Sequence, residues 1–225
     1  MPCSFWMRFY SVVFCFHDCN SNDYMKVLDA KKITGSLTRT SKMPGLSYSL
    51  PAWECKTGSK LRKIKGSVCA SCYALKGNYT RYKAIKAAQY VRLEALKDPR
   101  WIAAMVVQII RQKYFRWHDA GDIQDPVHLQ KIFRVCELTP ETRHWMPTRE
   151  AQFLKDIDPA TVPKNLIIRM SSHMVDQGPV NFWPWTSTVT SGQVSTCPAP
   201  KQGGQCKDCR ACWDRSINNV CYGKH

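Results

Sequence analysis

The chain has 225 residues, 44% hydrophobic and 22% charged, with 33 Lys and Arg against 17 Asp and Glu for a formal charge of +16. That balance excludes a disordered chain, leaves room for one substantial domain and directs attention to anionic partners: nucleic acid, a nucleotide or another phosphorylated ligand. The twelve cysteines cluster in C-x-x-C spacings, which argues against a secreted disulfide framework and for thiol chemistry in a reducing, cytoplasm-like compartment.

Residues 1–24 are aromatic-rich, carry Cys3, Cys15 and Cys19, and end in Asn20-Ser21-Asn22-Asp23. Within them Ser4–Phe16 is the one candidate for a secretion signal. It carries Arg8 in its middle, lacks a charged leading segment and a small-residue cleavage site, and at 13 residues is too short to span a bilayer. No membrane partner is therefore expected. Met25 opens a more conventional sequence, so 1–24 are expected to be an upstream extension. Residues 25–225 are then a single domain, ending in a cysteine-rich tail over 195–225.

A strand is predicted at Leu46–Leu50, followed by a Lys- and Gly-rich loop with Cys55, Cys69 and Cys72. The apolar spacing of Ala84, Ala87, Ala88, Val91 and Leu93 predicts a helix over Thr80–Lys97. Asp98 and Pro99 read as the N-cap and first position of a second helix running through Trp101–Ile110. Tyr114–Trp117 is a strand leading into His118-Asp119-Ala120-Gly121-Asp122. Asp125-Pro126 caps a helix reaching about Cys136. His144–Met146 is a strand, Glu150–Ile157 a short helix, Asn165–Met170 a strong strand and Trp185–Thr190 a further one. The tail is turn-rich.

These four or five β-then-α units predict an α/β fold: an open parallel sheet or partial barrel, too short for a closed eight-stranded one. Ligands sit at the carboxyl ends of strands in such sheets. The Cys55–Cys72 loop, the His118–Asp122 loop, the Pro147–Glu150 turn and the Ser171–His173 turn should therefore share one rim.

Cys206-Lys-Asp-Cys209-Arg-Ala-Cys212, preceded by Cys197-Pro198, is the strongest chemical signal. A C-x-x-C-x-x-C loop presents three thiolates to three corners of an iron–sulfur cube, and one zinc ion has no use for a third cysteine at that spacing. Zinc in a Cys₄ site is the competing metal. Cys55 with Cys69-x-x-Cys72 forms a second group, either a cluster with one open coordination site or a contributor to a site shared with the tail. The neighbouring Lys56, Lys60, Lys63 and Lys65 are expected to favour its thiolates. Cys136 reads as core, and Cys221 carries little weight as a ligand.

His118, Asp119 and Asp122 could supply acid–base groups beside a metal, and are equally compatible with a helix-capping turn. Arg149 could clamp an anion or lie solvated. Thr57-Gly58-Ser59-Lys60 lacks the upstream glycine of a phosphate loop.

The stretches KMPGLSYSLPAWECKTGSKL, GSVCASCYALKGNY, FRWHDAGDIQ, HWMPTRE and CPAPKQGGQCKDCRACWD resemble the phage gene product 88 family of cysteine-rich proteins, from about Met25 to the C-terminus. The resemblance implies a phage or prophage protein of the bacterial cytoplasm that binds iron–sulfur, without assigning a reaction. The chain is more distantly similar to radical SAM enzymes, whose partial barrel carries three cysteines after its first strand. Here the spacing is Cys55-x₁₃-Cys69-x₂-Cys72, not C-x-x-x-C-x-x-C.

The combined expectation is one or two [4Fe–4S] clusters held by Cys55, Cys69, Cys72, Cys197, Cys206, Cys209 and Cys212. His118, Asp119, Asp122 and Arg149 would line the adjoining pocket. As an enzyme the protein would be an iron–sulfur-dependent hydrolase or a radical-SAM-like catalyst, with S-adenosylmethionine as candidate cosubstrate. The other class is a zinc-stabilised basic nucleic-acid-binding module without catalysis.

Overall fold

The computed structural model of the protein describes residues 25–192 and 194–224; the expectations for 1–24 lie outside them. Seven strands form one sheet: β1 (Thr38–Arg39), β2 (Leu46–Tyr48), β3 (Tyr114–Trp117), β4 (Arg143–Thr148), β5 (Leu166–Ser171), β6 (Thr186–Thr190) and β7 (Asn219–Gly223). Their spatial order follows the chain, with β1 antiparallel to β2 and every later pair parallel. The sheet is open. In a parallel sheet of sequential order, right-handed crossovers all fall on the same face, and the opposite face must be covered by something else.

The helices are α1 (Val27–Thr34), α2 (Lys56–Leu61), α3 (Asn78–Arg81), α4 (Lys83–Ala95), α5 (Trp101–Ile109) and α6 (Pro126–Glu137). Phe115, Trp117, Met146, Leu166, Ile168 and Met170 project from β3, β4 and β5 into a core shared with Trp101, Met105, Ile109, Leu129 and Ile132 of α5 and α6. Residues alternating with these, Trp145 and Ile167, point the other way, into a second core with Met43, Cys212, Trp213 and Val220. The cysteine-rich tail therefore covers the sheet face that the crossovers leave free. This is why all six residues of β5 are buried.

The mixed α/β architecture with a mostly parallel, open sheet matches expectation, as do β2 to β6, α5 and α6. Asp125 caps α6 by accepting from the His128 amide at 2.7 Å. Three local expectations are corrected. The helix over 80–97 is broken at Tyr82, whose backbone is extended, because α3 is drawn over the rim by the Tyr79 hydroxyl, 2.8 Å from Asp119 Oδ2. The helix expected from Pro99 begins at Trp101, although Asp98 does cap the turn leading into it, its carboxylate accepting from the Arg100 amide at 2.8 Å and pairing with the Arg100 guanidinium. The helix expected over 150–157 shrinks to the turn Ala151–Phe153, since the Glu150 carboxylate is engaged by Thr57, through the amide at 2.8 Å and the hydroxyl at 2.7 Å.

Candidate metal centre

The rim at the carboxyl ends of β2 to β5 is tied together by backbone and carboxylate bonds. Leu50 donates to the Ala120 carbonyl at 2.9 Å, an approach so close that a side chain at Gly121 (φ 78°) would fall 2.6 Å from Leu50 Cβ. Val68 donates to the His173 carbonyl and Val175 to that of Gly66, which clips the Cys69 loop onto the turn after β5. Asp122 accepts from the Thr148 hydroxyl at 2.6 Å, the Ile123 amide at 2.8 Å and the Arg149 amide at 2.9 Å. It thus fixes the ends of β3 and β4 to each other.

Cys55, Cys69 and Cys72 lie within electrostatic reach of one another on this rim. Gly58, in α2, faces the gap between two of them: a Cβ there would meet Cys55 Cβ at 2.9 Å and the sulfurs of both Cys55 and Cys69 at 3.7 Å. The two sulfurs are therefore no further apart than twice that distance, and the glycine leaves open the space between them. Burial pushes the Cys55 thiol up, reinforced by Asp122, Cys72, Cys69 and Glu150. Burial also raises Cys69, against the nearby Arg149 and Arg62 guanidiniums. The expectation that lysines hold these thiols ionised is corrected: Lys56, Lys60, Lys63 and Lys65 are exposed, and the cations acting on Cys69 are arginines.

Tail cysteines form a second group. Burial raises Cys206, with Cys197 and Cys209 adding to it and Arg116 and Arg210 opposing. Cys212 is pushed up to about 11 by burial, against a Tyr222 hydroxyl 3.1 Å from its sulfur and the Arg169 and Arg116 guanidiniums. The Cys206 amide donates to the Lys42 carbonyl at 2.7 Å and that of Cys197 to the Cys221 carbonyl at 3.0 Å, which anchors the loop at both ends. Arg169, fully buried in β5, donates to six tail and β6 carbonyls: Cys212, Thr186, Ile217, Asn218, Ala211 and Asp214.

All seven cysteines are free thiols. Among the described residues no three or more of His, Cys, Asp and Glu are arranged as a ready metal-ion site, so the metal-binding expectation rests on the thiol chemistry of the two groups. Cys136 is buried in the helical core as expected, and Cys221 joins neither group.

The other expected site residues divide. His118 turns toward the helical core, its ring 5.3 Å from that of His128 and both its nitrogens unpartnered. Burial, then His128 and Arg116, holds it well below the usual histidine range. Asp122 is spent on rim bonds; burial lifts its carboxyl to about 6, against the hydrogen bonds it accepts. Asp119, 1% exposed, has Oδ2 bonded to Tyr79 and Oδ1 without a partner. Arg149 lies beside Cys69 with its Nε buried and unpartnered. His173 Nε2 donates to the Arg149 carbonyl, 3.2 Å away.

Sequence reasoning missed Arg169, Arg116, Glu150 and Gly58. Arg116 projects from β3 with its guanidinium 4.5 Å from the Trp145 ring centroid and 3.2 Å from the Tyr73 hydroxyl, and it acts on Cys206 and Cys212. The alternation of β3 carried that signal: Arg116 sits between Phe115 and Trp117 and so must face away from their core.

Fold and site define an open, mostly parallel α/β protein with one free-thiol group on the strand-end rim and another on the tail-covered face. A family model described as gene product 88 matches residues 25–215, and the chain belongs to that family. Comparison with curated proteins and with solved structures finds no match, radical SAM enzymes included. No helix among the described residues is long and apolar enough to cross a membrane.

Proposed function

We propose that this protein carries [4Fe–4S] clusters in a bacterial host cytoplasm, one at Cys55, Cys69 and Cys72 and one at Cys197, Cys206, Cys209 and Cys212. The observation that carries the reading is the partition of seven free thiols into a rim group of three, two of them facing the gap left by Gly58, and a tail group of four. Thiolate sets of three and four are the ligand complements of a cluster with one open iron and of a closed one. When bound, an open iron supplies Lewis acidity for hydrolysis or electrons for radical chemistry, with S-adenosylmethionine as the candidate ligand.

The protein's own groups position and charge that rim. Glu150 holds Thr57 and with it the turn that carries Cys55. Asp122 orients the Arg149 backbone, and the Arg149 guanidinium places a positive charge beside Cys69. Asp119 has acceptor capacity to spare at Oδ1 for a donor on a bound ligand. His118 turns into the helical core against His128, whereas Asp119, equally buried, lies on the rim beneath the Tyr79 hydroxyl, so acid–base work falls to Asp119 in this reading. The test is electron paramagnetic resonance of the protein purified and reduced without oxygen. Two overlapping cluster signals are expected, and S-adenosylmethionine should shift the one that a Cys55→Ser, Cys69→Ser, Cys72→Ser variant lacks. An unchanged spectrum would remove the cosubstrate; the absence of any signal would remove the clusters.

A further inference from the structure

Between Glu54 and Glu94 the chain has no carboxylate, while Lys56 to Lys86 supply nine of its 33 cations. This run is the whole segment that carries the rim cysteines. Lys56, Lys60, Lys63, Lys65, Lys83 and Lys86 all lie exposed along α2, the following turn and α4. Aromatic rings interleave with them. Tyr82 is 51% exposed at the extended residue between α3 and α4, and Tyr73 is 45% exposed. Lys86 lies over the Trp53 ring, 4.7 Å from its centroid. The band ends beside Cys55 at an open cleft of about 580 Å³ that Trp53, Phe153, Lys56 and Lys60 line together with the carboxylates of Glu54 and Asp125.

We propose that this collar is a binding track for single-stranded nucleic acid along α4 and α2, bounded by the carboxylates of Glu54 and Asp125 at the cleft beside Cys55. Phosphates require a row of cations unbroken by acids, and unpaired bases require accessible ring faces; together these select a single strand over a duplex. A membrane surface would call for a continuous apolar stripe, whereas the exposed apolar residues here, Ile64, Ile85 and Val91, are set singly among the cations. The inference stands apart from cluster binding, since it uses none of the thiols.

Fluorescence anisotropy with labelled 20-nucleotide single-stranded DNA and RNA, the matching duplex and anionic vesicles tests it on the full chain, with iron content recorded for every preparation. The single strands should bind best. A Lys63→Gln, Lys65→Gln, Lys83→Gln, Lys86→Gln variant should bind at least about tenfold more weakly and with a shallower salt dependence. Tyr82→Ala should lose about tenfold while keeping the salt slope. A charge-matched variant elsewhere, Lys31→Gln, Lys32→Gln, Lys155→Gln, Lys164→Gln, should bind as the parent does. Equal losses in the two lysine variants, preference for the duplex or the vesicles, or no effect at Tyr82 would each overturn the proposal. Unchanged iron in the collar variants keeps this outcome separate from the fate of the cluster reading.

Discussion

The guanidinium of Arg169 donates through Nε to the carbonyl of Cys212 at 3.2 Å, joining the middle of the sheet to the last cysteine of the C-x-x-C-x-x-C loop. Five further carbonyls accept from the same group. A guanidinium has five donors in a planar fork, so no other side chain could organise this loop. Arg169→Met preserves volume but strands these carbonyls in a buried setting. It should cost about 3 kcal/mol or more in urea unfolding, with Arg169→Lys recovering only part. A loss under about 1 kcal/mol would mean that the tail holds its shape without Arg169.

Gly58 should be sensitive for the opposite reason. A Cβ there meets Cys55 at 2.9 Å and lies in the gap between two sulfurs. Gly58 is helical, so alanine would favour α2 by about 0.5–1 kcal/mol if space were the same on both counts. Gly58→Ala is therefore expected to remove metal from the rim group and leave the tail group loaded, halving bound iron, while in metal-free protein the helix gain is set against the overlap with Cys55 Cβ. Full iron content would show that the gap is not part of a ligand site.

Glu150 supports the same rim from a distance. Glu150→Gln keeps the shape but replaces one acceptor oxygen facing Thr57 with a donor. Outer-shell changes of this kind typically cost 10–100-fold in metal affinity. Rim iron should pass to a chelator about tenfold faster than in the parent, measured by absorbance under nitrogen. Identical transfer rates would confine Glu150 to a folding role.

The outline of the sheet was legible because buried parallel strands are short apolar runs bounded by breakers, as in Leu166–Ile168. The rim was legible because strand ends in an open α/β sheet share one edge, and it does gather Cys55, Cys69, Asp122 and Arg149. Strand β7 was not, since Asn219–Gly223 is half-buried on an edge and buries only Val220 fully. Arg169 was hidden by its charge: within NLIIRM an arginine reads as a solvent-facing position, and only the tail folding over the sheet makes it a buried anchor. His118 misled in the converse way, since its polar neighbours suggested a site while its positive φ of 54° turns the ring into the core.

Acid should destabilise the metal-free fold through buried histidines. Burial lowers His128 to about 4 and His144 to about 3, from 6.5. Above pH 6.5 both are neutral folded and unfolded; as pH falls through 6.5 only the unfolded chain gains protons, so stability drops toward the folded values. From pH 7 to 5 the pair should cost about 4 kcal/mol. Asp122, raised to about 6, works in the other direction by taking up a proton when folded and returns about 1 kcal/mol. A net loss of at least about 3 kcal/mol in urea titrations at the two pH values is expected, since buried His118 acts in the same direction, and the loss should shrink in a His128→Gln, His144→Gln variant. Equal stability at pH 7 and 5 would contradict the buried, neutral state of these rings.

Two iron–sulfur sites built from the seven cysteines would show first in the metal content. Protein purified without oxygen should be brown, absorb broadly near 400 nm and hold about eight iron and about eight sulfide per chain. Cys55→Ser, Cys69→Ser, Cys72→Ser and Cys206→Ser, Cys209→Ser variants should each fall to about four. Colourless protein holding zinc, or no metal at all, under the same conditions would contradict the account.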